Sequence, residues 1–146
     1  MTEIAFHFGA TDKLAYACRL LRKAAASGAR VVVVADAQLQ EQLDAELWAV
    51  SPTDFVSHCG SQASQSTKER SAVVLVQDLA QAGSARQVLV SLGATVPAGF
   101  DAFERVIDVV SVDDEDRNQG RQRWKQYTQL GYAITRHDLV AKGTGA

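Results

Sequence analysis

Five consecutive residues, Val31-Val32-Val33-Val34-Ala35, constrain the fold more than any other stretch of this chain. An apolar, β-branched run without polar alternation suits a strand covered on both faces, as in a parallel sheet flanked by helices. The flanking residues agree. Upstream, Leu14, Ala17, Cys18, Leu21, Ala24 and Ala25 recur at helical spacing, with Lys13, Arg19, Arg22 and Lys23 on the other faces. Thr11 or Asp12 offers an N-cap oxygen, and Gly28 is placed to end the helix in the left-handed conformation. Ile4 to Phe8 is a short apolar strand ending at Gly9. Strand, helix and buried strand make a βαβ unit, whose crossover is right-handed.

The remainder continues the pattern. A second helix is expected over Ala37–Trp48, with Leu39, Leu43, Leu47 and Trp48 facing inward, broken by Ser51-Pro52-Thr53-Asp54. Phe55 and Val56 form an apolar island, and the Ser/Gln-rich stretch from Ser57 to Ser71 reads as an exposed loop. Ala72 to Val76 and Gln87 to Leu92 read as strands, and Phe100 and Phe103 mark a turn or short helix. A further strand covers Arg105 to Val110, and a last helix runs from Asp113 to Leu130, closed by Gly131. Tyr132 to Thr135 supplies a final strand or extended segment. The expected architecture is α/β: a single domain over residues 1–146, with a largely parallel twisted sheet, helices on both faces and no P-loop. A chain of 146 residues can bury such a core without staples.

Several function classes are disfavoured. Fifteen Lys and Arg against 17 Asp and Glu give a net charge of −2, which argues against bulk nucleic-acid binding. Cys18 lies in an apolar helical pattern and Cys59 in a polar segment, and two cysteines at this spacing match no zinc motif. No signal peptide and no apolar run of about 20 residues is evident, so a cytoplasmic protein without a membrane partner is expected. The first loop, Phe8-Gly9-Ala10-Thr11-Asp12-Lys13, has neither the glycine spacing of a dinucleotide site nor a Gly-Lys-Ser/Thr ending. His58 and Cys59 are adjacent and would point to opposite sides of an extended segment, so His58 is a poor base for Cys59. His7 and His137 lie near no carboxylate cluster of metal-ligand type, and Asp113-Asp114-Glu115-Asp116 suits a helix N-terminus. The expectation is therefore no catalytic residue, no metal ligand and no cofactor.

The last helix carries the most pointed signal. At about 100° per residue, Arg117, Arg121 and Trp124 fall within roughly 60° of one another. Gly120, Trp124, Tyr127 and Leu130 form a neighbouring apolar arc, expected to face the sheet. Trp124 then lies where the two surfaces meet. Two guanidinium groups beside an aromatic plane suit an acidic peptide with an apolar end, or a free C-terminal carboxylate beside an aromatic side chain. The residues alone leave a second reading open: a solvated basic face with Trp124 in the core.

Three blocks resemble the chi subunit of bacterial DNA polymerase III, an accessory protein of the clamp-loader assembly. The first and most specific is Leu43-Asp44-Ala45-Glu46-Leu47-Trp48-Ala49, followed after a short break by Phe55-Val56-Ser57-His58. The second is Val88 to Leu92 with Phe100 and Phe103; the third joins Val106 to Val110 with Arg121 to Tyr127 and Gly131-Tyr132. The resemblance implies a non-catalytic adaptor that binds the acidic C-terminal tail of single-stranded DNA-binding protein, a tail ending in aspartates, Ile, Pro and Phe. It implies that Arg117, Arg121 and Trp124 hold that tail, and that DNA is contacted only indirectly. It also implies a psi-subunit interface that includes Phe55, with Trp48 shaping that surface or lying in the core. Ser57 replaces the family's common Pro, and Gly120 inside the last helix would let a ligand approach the backbone. The alternative is a nucleotide- or phosphate-binding enzyme of doubly wound fold, using Gly9 and Lys13; a third reading stacks single-stranded DNA on Trp124.

Overall fold

Glu3–Ala10 forms the first strand (β1), and Asp12 caps the helix that follows, its carboxylate accepting the Ala15 N–H at 3.1 Å. That helix (α1) spans Lys13–Ala26, and Gly28 follows it in the left-handed conformation at φ +86°. The valine run gives β2 (Val31–Val34), and Ala37–Trp48 is α2. Next come β3 (His58–Gly60), α3 (Gln65–Arg70), β4 (Val73–Val76), β5 (Val88–Ser91), β6 (Arg105–Ser111), α4 (Asp114–Gln129) and β7 (Ile134–Asp138). Single turns of 3₁₀ helix cover Leu79–Gln81 and Phe100–Ala102. This computed structural model describes residues 2–48, 58–60, 63–83 and 86–139.

The described strands form one seven-stranded sheet in the order β3-β4-β2-β5-β6-β1-β7, and every pairing is parallel. The two-residue period divides the valine run between two cores. Val31 and Val33 join Leu21 of α1 and Leu43 and Leu47 of α2 on one face. Val32 and Val34 join Leu79, Phe100, Phe103 and Tyr127 on the other. All four valines are buried, each contributing roughly 1.5–3 kcal/mol relative to exposure.

Two expectations fail. The stretch from Ser57 to Ser71 is not simply a loop: its described part holds β3, which pairs with β4 from His58↔Val73 to Gly60↔Leu75, and α3, capped by Ser64. A three-residue edge strand and a six-residue helix need little apolar surface, so polar composition conceals them. Cys59 is half-buried and packs against the second core rather than lying in a solvated segment. The last strand also lies two residues later than expected. Tyr132 precedes it, packing edge-on to Phe100 with ring centroids 5.2 Å apart, while the polar Thr135, Arg136, His137 and Asp138 fall inside it. As an outer strand of the described sheet, β7 tolerates those polar residues.

Candidate functional site

Helix α4 is fixed at its start by carboxylates. Asp113 accepts the Asp116 N–H at 3.1 Å, and Asp114, Glu115 and Asp116 occupy the first turn, where the helix dipole favours them. Asp116 does more than cap. It accepts the Ser111 N–H at 2.7 Å and both of its oxygens are within 3.2 Å of the Lys13 ammonium, tying α4 to the end of β6 and the start of α1. Burial works against its charge, but the Ser111 N–H and Lys13 outweigh it and hold the carboxyl below its ordinary value. Lys13 is thus committed to Asp116 and only 17% exposed, so the anion site imagined from Gly9 and Lys13 does not form as a pair.

One turn along, the helix meets the sheet at Gly120. A Cβ there would stand 2.9 and 3.2 Å from the two γ-methyls of Val110, so glycine serves close packing on β6 rather than ligand access. Tyr127 is buried, whereas Leu130, expected on the inner arc, caps the helix and is 55% exposed. The inward position belongs instead to Arg123, which is 1% exposed. Its Nε and Nη2 donate to the two oxygens of Asp108 at 2.8 and 2.9 Å, and Nη1 donates to the Ala94 carbonyl at 3.1 Å. Burial pushes the Asp108 carboxyl up to about 6 against the pull of Arg123. Burial likewise opposes the Arg123 charge, but the bonds to Asp108 prevail and raise its pKa.

The remaining side of α4 overhangs the carboxyl ends of β1, β6 and β7. Here Arg117, Arg121 and Trp124, grouped by helical spacing, line a single cleft of about 500 Å³. Trp124 is half-buried, with its ring 5.1 Å from Phe6 and 5.8 Å from Phe8. It therefore packs on the sheet and still walls the cleft. Among the described residues both guanidiniums have partners on their own helix: Arg117 lies 3.8 Å from Asp114, and Arg121 donates to the Asn118 side chain at 2.9 Å. Exposed pairs of this kind contribute little, about 0–1 kcal/mol, so a ligand can replace them.

The sheet completes the cleft: Val112, Arg136 and Asp138 were not singled out from the sequence, whereas Gly9 was considered there only for an anion site with Lys13. Phe8 and Gly9 come from the end of β1, where the register slips between Phe8 and Ala10 and Gly9 takes φ +82°. Such a bulge re-aims a strand end beside a site. Val112, 46% exposed, adds an apolar lip. Arg136 and Asp138 come from β7, and the Arg136 guanidinium lies 5.0 Å over the Phe8 ring. The crevice beyond the carboxyl ends of parallel strands is where open α/β sheets bind ligands. A second cleft, about 730 Å³, opens at the opposite end of the sheet and carries Glu3, Asp101 and Glu104 beside Arg105. Its mostly acidic border makes it the poorer host for an anion.

Other residues singled out from the sequence take different places. His7 and His137 sit side by side with ring centroids 4.6 Å apart, and the His7 Nδ1 is hydrogen-bonded to the Tyr16 hydroxyl. His58 and Cys59 both lie in β3. Phe55 lies outside the described residues; Trp48 ends α2, and its side chain lies outside them too. No group of three or more His, Cys, Asp or Glu that could hold a metal occurs among the described residues.

Comparison with known proteins now bears on this arrangement. The family model of the DNA polymerase III chi subunit, HolC, matches residues 1–135. The chain belongs to that family. It is similar to the DNA polymerase III subunit chi of Pseudomonas aeruginosa, with 28% identity over 128 residues covering 87% of each chain. The subunit chi of Haemophilus influenzae is 25% identical over 124 residues, covering 84% of this chain and 85% of its own. That of Escherichia coli K12 is 28% identical over 118 residues, covering 80% and 79%. The chi family is an accessory family of the replicative polymerase, which places the chain in DNA replication. Among the described residues, no helix is long and apolar enough to cross a membrane.

Proposed function

We propose that this protein is a non-catalytic, cytoplasmic replisome adaptor that holds the acidic C-terminal tail of single-stranded DNA-binding protein in the cleft beside α4. In this reading it also joins that protein to the clamp loader through a psi subunit. The observation that carries the tail site is the meeting of Arg117, Arg121 and Arg136 around Phe8, Trp124 and Val112 in one cleft of a chain whose net charge is −2. Guanidiniums take carboxylates through paired, charge-assisted hydrogen bonds, and the aromatic wall takes an apolar side chain. An acidic tail ending in an aromatic residue offers both.

The test is fluorescence anisotropy with a labelled peptide ending in Asp-Asp-Asp-Ile-Pro-Phe. Saturable binding that weakens as salt rises, and falls on deleting the terminal Phe, is expected. Absence of binding contradicts the reading. For the psi contact, Phe55 and Trp48 remain the residues that the family resemblance points to. Phe55→Ala should reduce co-elution with a psi subunit in gel filtration while leaving tail binding unchanged, and undiminished co-elution would dismiss Phe55.

A further inference from the structure

All three histidines of the chain lie in strands, and two of them meet. His7 of β1 and His137 of β7 are register partners in neighbouring parallel strands, so their side chains leave the same face of the sheet. That face is the one α1 covers, because His7 is level with Val109 of β6, which shares a core with Leu21. The cleft residues Phe8 and Arg136 alternate with the histidines and project from the other face. Both histidines are half-buried, with ring centroids 4.6 Å apart and planes inclined by 54°. Two imidazoles that share one metal at about 2.0–2.1 Å, at an angle of roughly 90–110°, have their centroids about 4.5–5 Å apart. The pair stands at that spacing.

A ligating histidine ordinarily has its other ring nitrogen held by a hydrogen bond, which sets the tautomer and aims the ring. His7 has such a bond: its Nδ1 is paired with the Tyr16 hydroxyl of α1, so Nε2 is the nitrogen for a metal to take. Burial raises the Tyr16 pKa more than the nearby Arg19 lowers it, so the phenol acts as a hydroxyl that orients His7 and not as a phenolate ligand. We propose that His7 and His137 together bind a first-row transition-metal dication of borderline softness, Zn²⁺, Ni²⁺ or Cu²⁺, and so cross-link β7 to β1. Among the described residues no third His, Cys, Asp or Glu completes a metal-holding group, so water fills the remaining positions. The site is therefore weaker than a four-ligand structural one, and it excludes hard cations such as Mg²⁺, which seek oxygen ligands. Within the described sheet β7 pairs with β1 alone, so the metal fastens the strand that brings Arg136 and Asp138 to the cleft.

The test titrates Zn²⁺ into the chelator-treated full-length chain by calorimetry, with and without excess Mg²⁺. One saturable Zn²⁺ site, indifferent to Mg²⁺, is expected. His7→Asn and His137→Asn should each weaken it by about 30-fold or more, and Tyr16→Phe by about tenfold through loss of the orienting bond. Removing the other candidate pair, His58→Asn with Cys59→Ser on the opposite edge strand β3, should leave it intact. Urea midpoints read beside the affinities separate lost ligation from lost folding. A second readout needs no variant: the ring resonances of His7 and His137 should shift together as Zn²⁺ is added to the unaltered protein, while those of His58 stay in place. Absence of saturable binding, displacement by Mg²⁺, affinity preserved in His137→Asn, or a shift confined to His58 overturns the site.

Discussion

Arg121 and Arg123 stand two residues apart on α4 and occupy opposite environments. Two steps of about 100° turn them to different sides of the helix. Arg121 is exposed on the cleft with Asn118 as its partner, whereas Arg123 is buried against the sheet, its fork filled by Asp108 and Ala94. One arginine is available to a ligand, and the other joins α4 to β6. The difference shows that a basic helix of this kind divides its charges between recognition and architecture by phase alone. Residue type does not reveal which is which.

The comparison is broken most severely from the buried side. Arg123→Ala leaves Asp108 without its partner in the core and should cost about 3–5 kcal/mol in urea denaturation. Replacing both partners, Asp108→Leu with Arg123→Met, should recover most of that loss, because no uncompensated charge remains. Equal destabilisation by single and double variants would show that the pair's shape, rather than its charge, matters. Gly120→Ala comes next. Its Cβ would collide with the Val110 γ-methyls, which outweighs the helix-propensity gain of about 1 kcal/mol and leaves a net loss of roughly 1–2 kcal/mol. An unchanged or raised denaturation midpoint would mean that α4 can move away from β6 at no cost.

The smallest effect belongs to Asp116, between the two regions. Its carboxyl is held below the ordinary 3.8 in the folded chain, so the unfolded chain takes up its proton first as pH falls. Its stabilisation is complete above the unfolded value and fades as pH drops through the folded one. Asp116→Asn should therefore lower stability near pH 7 and flatten its decline below about pH 4. Parallel stability profiles for the two proteins would dismiss the Lys13–Asp116–Ser111 tie.

Much of this was legible in the sequence. The valine run, a cap at Thr11 or Asp12 and the acidic start of α4 act locally, through period and hydrogen bonding; the structure carries the run and the acidic start where expected and chooses Asp12 for the cap. Helical phase likewise brought Arg117, Arg121 and Trp124 together, and they share the cleft. The inner arc read from the sequence leaves out Arg123, although its phase lies between those of Tyr127 and Leu130, both assigned to that arc. The one available hint was Asp108, an acid inside an otherwise apolar strand that needs a buried partner. Arg136, Phe8 and Val112 escaped for another reason. They reach the cleft through parallel pairing of β1 with β6 and β7, a relation between distant segments, and β7 itself carries too many polar residues to announce its limits.

The decisive measurement is the affinity of the Asp-Asp-Asp-Ile-Pro-Phe peptide for Arg121→Ala, read by anisotropy beside its urea midpoint. The expected result is a loss of about 2 kcal/mol or more, roughly 30-fold in Kd, with stability within about 0.5 kcal/mol of the unaltered protein. Unchanged affinity, or a weakening that merely tracks a loss of folding, would contradict the assignment of this face of α4 to recognition.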